Sequence, residues 1–287
     1  SSTIAPAARP TALIAIERLR RESGRRVPTM ISATIEAVGT MLAGQTAEAF
    51  CASVAHADLF SIGLNCATGP EFMTDHIRTI SEMVRIPVSC HPNAGLPNED
   101  GLYLETPDSL ASQLERFVDH GWLNIVGGCC GTTDAHIKAI ADMAAGKRPR
   151  VVRGRLHRSY YSGIDLVEAD DNTRPLIVGE RTNVVGSRLF KNLVAEEQWE
   201  EASEIARRQV KNGAHIVDVC LQSADRDEIA DIPPFYEKLI RKTKLPLMID
   251  TTDPEALELA LTYCQGKSII NSLNLEDGDE KFERVWP

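Results

Sequence analysis

The run Gly127-Gly128-Cys129-Cys130-Gly131-Thr132-Thr133 stands directly after an apolar stretch, 122–126, and before a helical pattern over 134–143. That order puts two thiols at the C-terminal end of a parallel strand, where α/β folds keep their active sites. The glycines let the backbone turn tightly and approach a ligand closely. Adjacent cysteines bridge to each other only with strain, so ligation of a soft metal is the better use of the pair. A third thiol, Cys66, follows another apolar run in Ser61-Ile62-Gly63-Leu64-Asn65-Cys66-Ala67-Thr68-Gly69-Pro70. If both strand ends share one mouth, Cys66, Cys129 and Cys130 offer three thiolates to one Zn²⁺ and leave a fourth position for a substrate. A thiol bound there is held as a nucleophilic thiolate near neutral pH. Spacing alone leaves a second reading open, that of small buried core thiols. Cys51, Cys90, Cys220 and Cys264 read as core cysteines.

The second half carries amides and carboxylates instead. Gly179-Glu180-Arg181-Thr182-Asn183-Val184-Val185-Gly186-Ser187 follows a short strand, and Asp218, Asp250 and Asn271 stand within or just after three more. Strand-end acceptors of this kind can hold a polar heterocycle through its ring N–H and amino groups. Taken singly, each reads equally as a helix cap or turn former.

The elements that must position these residues are legible as apolar runs at 27–31, 58–65, 86–90, 122–126, 176–179, 215–220, 245–249 and 268–271, with helical patterns between them. Such alternation predicts parallel βα units. Thr106-Pro107-Asp108 and Asp253-Pro254-Glu255 each open a helix with a cap, a first-turn proline and an acid; Trp199, Ala202, Ile205, Ala206 and Val210 share one face of another. Between about 146 and 174 the period fails, and a basic run, Lys147-Arg148-Pro149-Arg150, and an acidic one, Glu168-Ala169-Asp170-Asp171-Asn172, read as an interdomain linker. Four units precede it and four follow; a single (β/α)₈ barrel has about 250 residues, but so long a central connection speaks against one.

With 287 residues, 43% hydrophobic, 25% charged and a net charge of −10, the chain has the composition of an ordinary globular α/β protein. The charge excludes a nucleic-acid binder. No apolar run is long enough to span a membrane, and no signal-peptide pattern is present. Seven cysteines without a C-x-x-C pair do not form a disulfide framework, which points to a reducing cytoplasm.

Five motifs occur in the order and register of zinc-dependent homocysteine S-methyltransferase domains, which the first half closely resembles: Val27-Pro28-Thr29-Met30-Ile31-Ser32-Ala33-Thr34-Ile35, Leu42-Ala43-Gly44-Gln45-Thr46, Gly63-Leu64-Asn65-Cys66-Ala67, Pro92-Asn93-Ala94-Gly95-Leu96-Pro97 and Gly127-Gly128-Cys129-Cys130-Gly131-Thr132. The resemblance implies that Cys66, Cys129 and Cys130 bind zinc, that homocysteine sulfur takes the open position, and that Asn93 takes it when substrate is absent; an Asn before Ala-Gly equally suits a turn. The second half resembles the pterin-binding barrel of the cobalamin-dependent methionine synthase family, on Gly179-Glu180-Arg181-Thr182-Asn183 with Gly186-Ser187, Asp250, and Gly266-Lys267-Ser268-Ile269-Ile270-Asn271-Ser272. That likeness implies pterin contacts by Asn183, Asp218, Asp250 and Asn271, the last near the ring nitrogen that loses a methyl group. The chain departs from the pattern at Asp218-Val219-Cys220, where Asp-Ile-Asn is usual.

The resemblance implies two adjacent TIM barrels, each only partly present and joined by a linker: residues 1–146 from the C-terminal part of the homocysteine barrel, 147–173 as linker, and 174–287 from the N-terminal part of the pterin barrel. It implies a methyltransferase of methionine biosynthesis that moves a methyl group from 5-methyltetrahydrofolate through cobalamin to zinc-bound homocysteine. Cobalamin-binding and reactivation modules would lie elsewhere in the parent chain, since none of the seven histidines has the DxHxxG setting. The chain alone, with half of each site, is expected to be inactive. A cobalamin-independent betaine-type methyltransferase shares the three cysteines, but the 179–187 and 266–272 motifs argue against it. A non-catalytic zinc- or folate-binding module is the remaining alternative.

Overall fold

The computed structural model describes residues 11–152, 154, 159–273, 279 and 282. Both chain ends, and residues 153 and 155–158 of the expected linker, lie outside that set. The chain divides by packing into two units, Ala15–His157 and one that holds Arg158–Pro287.

The chain opens with α1 (Thr11–Ser23), and β1 (Met30–Ala33), α2 (Ala47–Val54), β2 (Ser61–Asn65), α3 (Pro70–Met83), β3 (Val88–His91), α4 (Pro107–Asp119), β4 (Ile125–Val126) and α5 (Asp134–Ala144) follow. The strands form one parallel sheet in sequence order. Asn65 is level with His91, and Cys90 with Val126. The expected cap works as read: Thr106 accepts from the Ser109 N–H, with Pro107 in the first turn of α4. Ile62, Leu64, Val88, Met73, Ile77, Ile80, Leu110, Leu114 and Phe117 are buried, so helices of apolar periodicity close over a sheet whose strands are nearly continuous in hydrophobicity.

The second unit begins with a hairpin, β5 (Ser159–Ser162) and β6 (Leu166–Ala169). There follow β7 (Val178–Asn183), α6 (Arg188–Ala195), α7 (Trp199–Lys211), β8 (Ile216–Cys220), α8 (Glu228–Leu239), β9 (Leu247–Asp250), α9 (Pro254–Tyr263) and β10 (Ile269–Asn271). The strands β7 to β10 make a second parallel sheet, again in sequence order. Its core gathers Phe190, Ile205, Val217, Val219, Phe235, Tyr236, Leu239 and Ile249.

The expected α/β class is met, and two points of the architecture need stating. Each sheet has four strands, and among the described residues neither closes on itself, so the architecture is α/β with two open parallel sheets and not a demonstrated barrel. Within 147–173, expected as linker, the described residues from 159 onward form a hairpin and a short 3-10 turn. The hairpin is fastened to the entries of β9 and β10, with Asp165 N–H on the Lys244 carbonyl at 3.1 Å and Ser162 N–H on that of Lys267 at 3.0 Å.

Arg150, from the same stretch, is 6% exposed. Its guanidinium donates to the carbonyls of Ser81 and Val84 at 2.6 Å and of Ile86 at 3.0 Å. These are carbonyls at and beyond the C-terminus of α3, where a cation complements the helix dipole and satisfies groups with no intrahelical partner. Replacing Arg150 with Ala strands several buried acceptors, so the first unit should lose on the order of 3 kcal/mol. Urea unfolding would show an earlier transition for that unit with the second unit's transition unmoved; coincident curves for variant and wild type would refute the role.

Candidate functional site

The first site lies at the C-terminal ends of β2, β3 and β4. Cys66 follows β2 with φ +63°, and Ala67 follows it at +57°. Left-handed backbone at two successive non-glycine residues costs roughly 1–3 kcal/mol each and concentrates at functional sites. Cross-loop hydrogen bonds hold it: Cys66 N–H on the His91 carbonyl at 3.0 Å, and Asn93 N–H on that of Thr68 at 3.2 Å. The Cys129–Cys130 loop is tied to the same place by Cys129 N–H on the Pro92 carbonyl, 2.8 Å, and Ala94 N–H on that of Cys130, 2.9 Å. Gly127 is demanded by packing, since a Cβ there would stand 2.7 Å from the His91 ring.

The three sulfurs converge. Cys66 Sγ is 3.4 Å from Cys130 Sγ, Cys129 Sγ is 4.0 Å from Cys130 Sγ, and all three lie within 4.8 Å of one another. A tetrahedral ion with metal–sulfur bonds of about 2.3 Å needs sulfurs about 3.8 Å apart, so the donor triangle fits zinc in size and softness. Cys130 is exposed and the other two are half-buried, which leaves an approach to the cluster from solvent. Burial works against the Cys66 thiolate, yet the Ala67 N–H, the thiols of Cys130 and Cys129 and the Asn93 amide hold its pKa below that of a free thiol. Cys130, donating to Cys66, is pushed up to about 11. Cys51, Cys90, Cys220 and Cys264 are all buried, and burial drives the first three up to about 12.

Asn93 is 3% exposed, and its side-chain oxygen accepts the Cys130 N–H at 3.2 Å while its amide serves the Cys66 sulfur. It bridges the two cysteine loops. Two further residues lie at the cluster: Asn65, inside the Gly63–Ala67 motif but not singled out there, and Tyr103, which no motif marks. The Asn65 amide lies 4.0 Å from Cys129 Sγ, with its oxygen held by Ser32 Oγ at 2.6 Å. The Tyr103 ring lies against Gly131, next to Cys130, and burial together with the neighbouring thiols holds its pKa above that of a free phenol.

In the second unit, register decides which residues meet. Asn183 is level with Cys220, and Asn271 with Asp250; Asp218 is level with Met248, one side-chain layer lower. Asn183 donates to Asp218 at 3.1 Å and to Asp250 at 3.0 Å, while its oxygen accepts the N–H groups of Val185 and Gly186 at 2.9 Å. Asn271, level with Asp250, lies near enough to Asp218 for its amide to favour the ionised carboxyl. All four expected residues are thus brought together. What places Asn183 is a register shift between Gly179 and Thr182. Buried Gln209 of α7 fills that bulge: its oxygen accepts the Arg181 N–H at 2.6 Å, and its amide donates to Thr182 Oγ1 at 3.2 Å. Thr182 in turn donates to the Asp218 carbonyl.

Burial, with the charges of Asp250 and Glu180 adding to it, pushes Asp218 up to about 6 against the pull of Asn183 and Asn271. Glu228, bonded by Thr251 at 3.0 Å, is pushed up to about 7, again chiefly by burial.

Residues 4–144 match the homocysteine S-methyltransferase family, and residues 179–286 match the pterin-binding enzyme family. These matches set a unit of the first kind, with its cysteine cluster, ahead of a unit of the second kind, with its amide–carboxylate cluster. The chain is 37% identical over 276 residues to methionine synthase of Mycobacterium leprae, and 38% identical over 274 residues to that of Mycobacterium tuberculosis. Each alignment covers 93% of this chain and 23% of the relative, so the chain spans under a quarter of the length of these proteins. A metallated homocysteine methyltransferase from Escherichia coli is 21% identical, with a TM-score of 0.34 over 45% of this chain and 40% of that one. The two family matches and the mycobacterial relatives together support a methionine synthase segment.

Because Asp218 has a folded pKa above its unfolded value of 3.8, its ionisation opposes folding: the cost is absent below about pH 4, grows as pH rises through about 6, and is constant above. The stability of Asp218→Asn relative to wild type should therefore rise by up to roughly 3 kcal/mol between pH 4 and pH 7.5. Denaturant midpoints across that range would check it, and a gap independent of pH would show that the carboxyl is not perturbed.

Proposed function

We propose that this chain carries parts of the two methyl-transfer sites of a methionine synthase: the thiol-activating site in the first unit and the 5-methyltetrahydrofolate site in the second. The observation that carries this reading is the convergence of Cys66, Cys129 and Cys130 from two different strand ends, with sulfurs spaced for one tetrahedral ion.

Zinc bound by these three thiolates, with its fourth position open, would hold the homocysteine sulfur as a thiolate nucleophile at neutral pH. The chain's own residues do the rest. Asn93 ties the two loops together and would supply a neutral ligand to the ion when substrate is absent. Asn65 and the Ala67 N–H support the ligand sulfurs, as outer partners of metal ligands usually do.

In the second unit, Asp218 and Asp250 supply acceptors to the ring N–H and amino groups of the pterin. Asn183 holds the two carboxyls at a fixed separation, and Asn271 faces the ring nitrogen that gives up the methyl group. Prearranged polar groups of this kind reduce the reorganisation needed when the methyl leaves. The methyl carrier, cobalamin, would be held by a domain outside this chain, with reactivation modules beyond it, in a cytoplasmic enzyme that makes methionine. A betaine-type enzyme would not need the second cluster.

The purified chain should bind one zinc per molecule, lost in Cys66→Ser and Cys129→Ser and retained in Cys90→Ser, by metal analysis. Titration with methyltetrahydrofolate should show binding that Asp250→Ala weakens by at least about tenfold, the worth of one hydrogen bond to a charged group. Zinc retained without Cys66, or folate binding unaffected by Asp250, would defeat the corresponding half of the assignment.

A further inference from the structure

Side chains of a strand alternate between its two faces, so the face of each residue of β7 can be followed from its partner on β8. Gly179 is level with Val217, on the face that packs against the helices. Counted on by alternation, a regular strand would put Asn183 on that same helix face and Thr182 on the opposite one. The structure has the reverse. Thr182 is level with Val219 and fully buried against Gln209 of α7, and Asn183 is level with Cys220, on the face that carries Asp218.

One extra residue between Gly179 and Thr182 makes this reversal, and Gln209 is the side chain that accommodates it. A bulge takes a backbone N–H out of the ladder; here the Arg181 N–H is donated to Gln209 Oε1 at 2.6 Å. The other end of the same amide donates to Thr182 Oγ1 at 3.2 Å, and Thr182 passes a hydrogen bond on to the backbone carbonyl of Asp218. Gln209 is 8% exposed, so its amide must find its partners within the protein. Gly179 gives it room. A Cβ there would stand 2.7 Å from Gln209 Oε1 and 3.1 Å from its Cβ and Cδ. The turn of Asn183 toward the carboxyls is therefore fixed from the far side of the sheet, by a helix residue 26 positions further along the chain.

Resting on the folate reading above, we propose that Gln209 is a positioning residue of the methyltetrahydrofolate site: by holding the β7 bulge it turns Asn183 to the carboxyl face, where Asn183 spaces Asp218 and Asp250 for the donors of the pterin ring. Gln209 acts through the backbone of β7 and through Thr182. Without its amide the Arg181 N–H loses its acceptor, the strand relaxes toward the regular register, and Asn183 leaves the two carboxyls it bridges at 3.1 and 3.0 Å. Carboxyls without a common donor no longer present a preset spacing, and the ligand must then supply the ordering itself.

The test is titration of the chain with 5-methyltetrahydrofolate. Gln209→Met keeps the length of the side chain and removes its amide, and should raise the Kd about tenfold, the equivalent of one hydrogen bond to a charged group. Asn183→Ala should raise it by a similar factor. The double variant should bind no more weakly than the weaker single one, because a residue that acts through Asn183 has nothing left to position, whereas a merely structural loss would multiply with it. Gly179→Ala, whose methyl displaces the Gln209 amide and leaves every polar group in the chain, should reproduce both results, and it decides the matter if Gln209→Met does not fold. Wild-type affinity in a folded Gln209→Met or in Gly179→Ala, or losses that multiply with Asn183→Ala, overturns the proposal and leaves the folate reading standing. A wild-type chain that does not bind methyltetrahydrofolate overturns that reading and this inference with it.

Discussion

Parallel pairing in sequence order governs everything else in this molecule. Neighbouring parallel strands run the same way, so their C-terminal ends emerge together, and the register fixes which side chains stand level. In the first sheet the pairing of Asn65 with His91 and of Cys90 with Val126 brings the next residues of three strands into one neighbourhood. Cys66 and Cys129 are 63 positions apart in sequence and meet only because two crossover helices return the chain to the same edge of the sheet. In the second sheet the pairing of Asn271 with Asp250 and of Asn183 with Cys220 does the same for amides and carboxyls. A slip of one residue in either sheet would turn these groups into the apolar layer and scatter the site.

Register alone does not finish the geometry, and each unit adds a local irregularity beside its polar cluster. In the first unit it is the left-handed pair Cys66 and Ala67, which turns the Cys66 sulfur back toward the neighbouring loop. The cost is offset by hydrogen bonds from loops that are themselves anchored on β3, so the strain persists because its surroundings leave no relaxed alternative. In the second unit it is the bulge in β7, which lets Asn183 reach both Asp218 and Asp250. A bulge frees backbone groups from the ladder, and Gln209 takes up the one at Arg181. Both devices place a polar side chain where straight strands would not.

The sequence was readable where local signals and tertiary structure agree. All eight apolar runs became strands, because buried parallel strands are written as short continuous hydrophobic stretches. Thr106 and Asp253 marked helix starts because a cap and a first-turn proline act through neighbouring residues only. The cysteine and amide clusters were legible as residue types at strand ends. The hairpin at 159–169 was not: its strands are four residues each and mix Tyr160 and Tyr161 with polar neighbours, so no period stands out. β7 extends to Asn183 and not Gly179, since Glu180 and Arg181 sit on the bulge and break the apolar run. Arg150, Gln209 and Tyr103 escaped for a common reason. Each acts on groups distant in sequence, Arg150 on carbonyls 64 to 69 positions away, and a basic run, a helical glutamine or a loop tyrosine carries no mark of that.

The two clusters solve opposite electrostatic problems. Three thiolates within 4.8 Å repel one another and call for a cation, and the donors around them moderate the charge without removing the need. Asp218 and Asp250, with Glu180 nearby, also crowd negative charge, but in a buried setting that answers by keeping a proton on Asp218 up to about pH 6. A donor-rich heterocycle entering there would favour the ionised carboxyl, since hydrogen bonds to the charged form lower its pKa. Binding and proton release are therefore linked at the second cluster, as metal binding and thiol deprotonation are at the first.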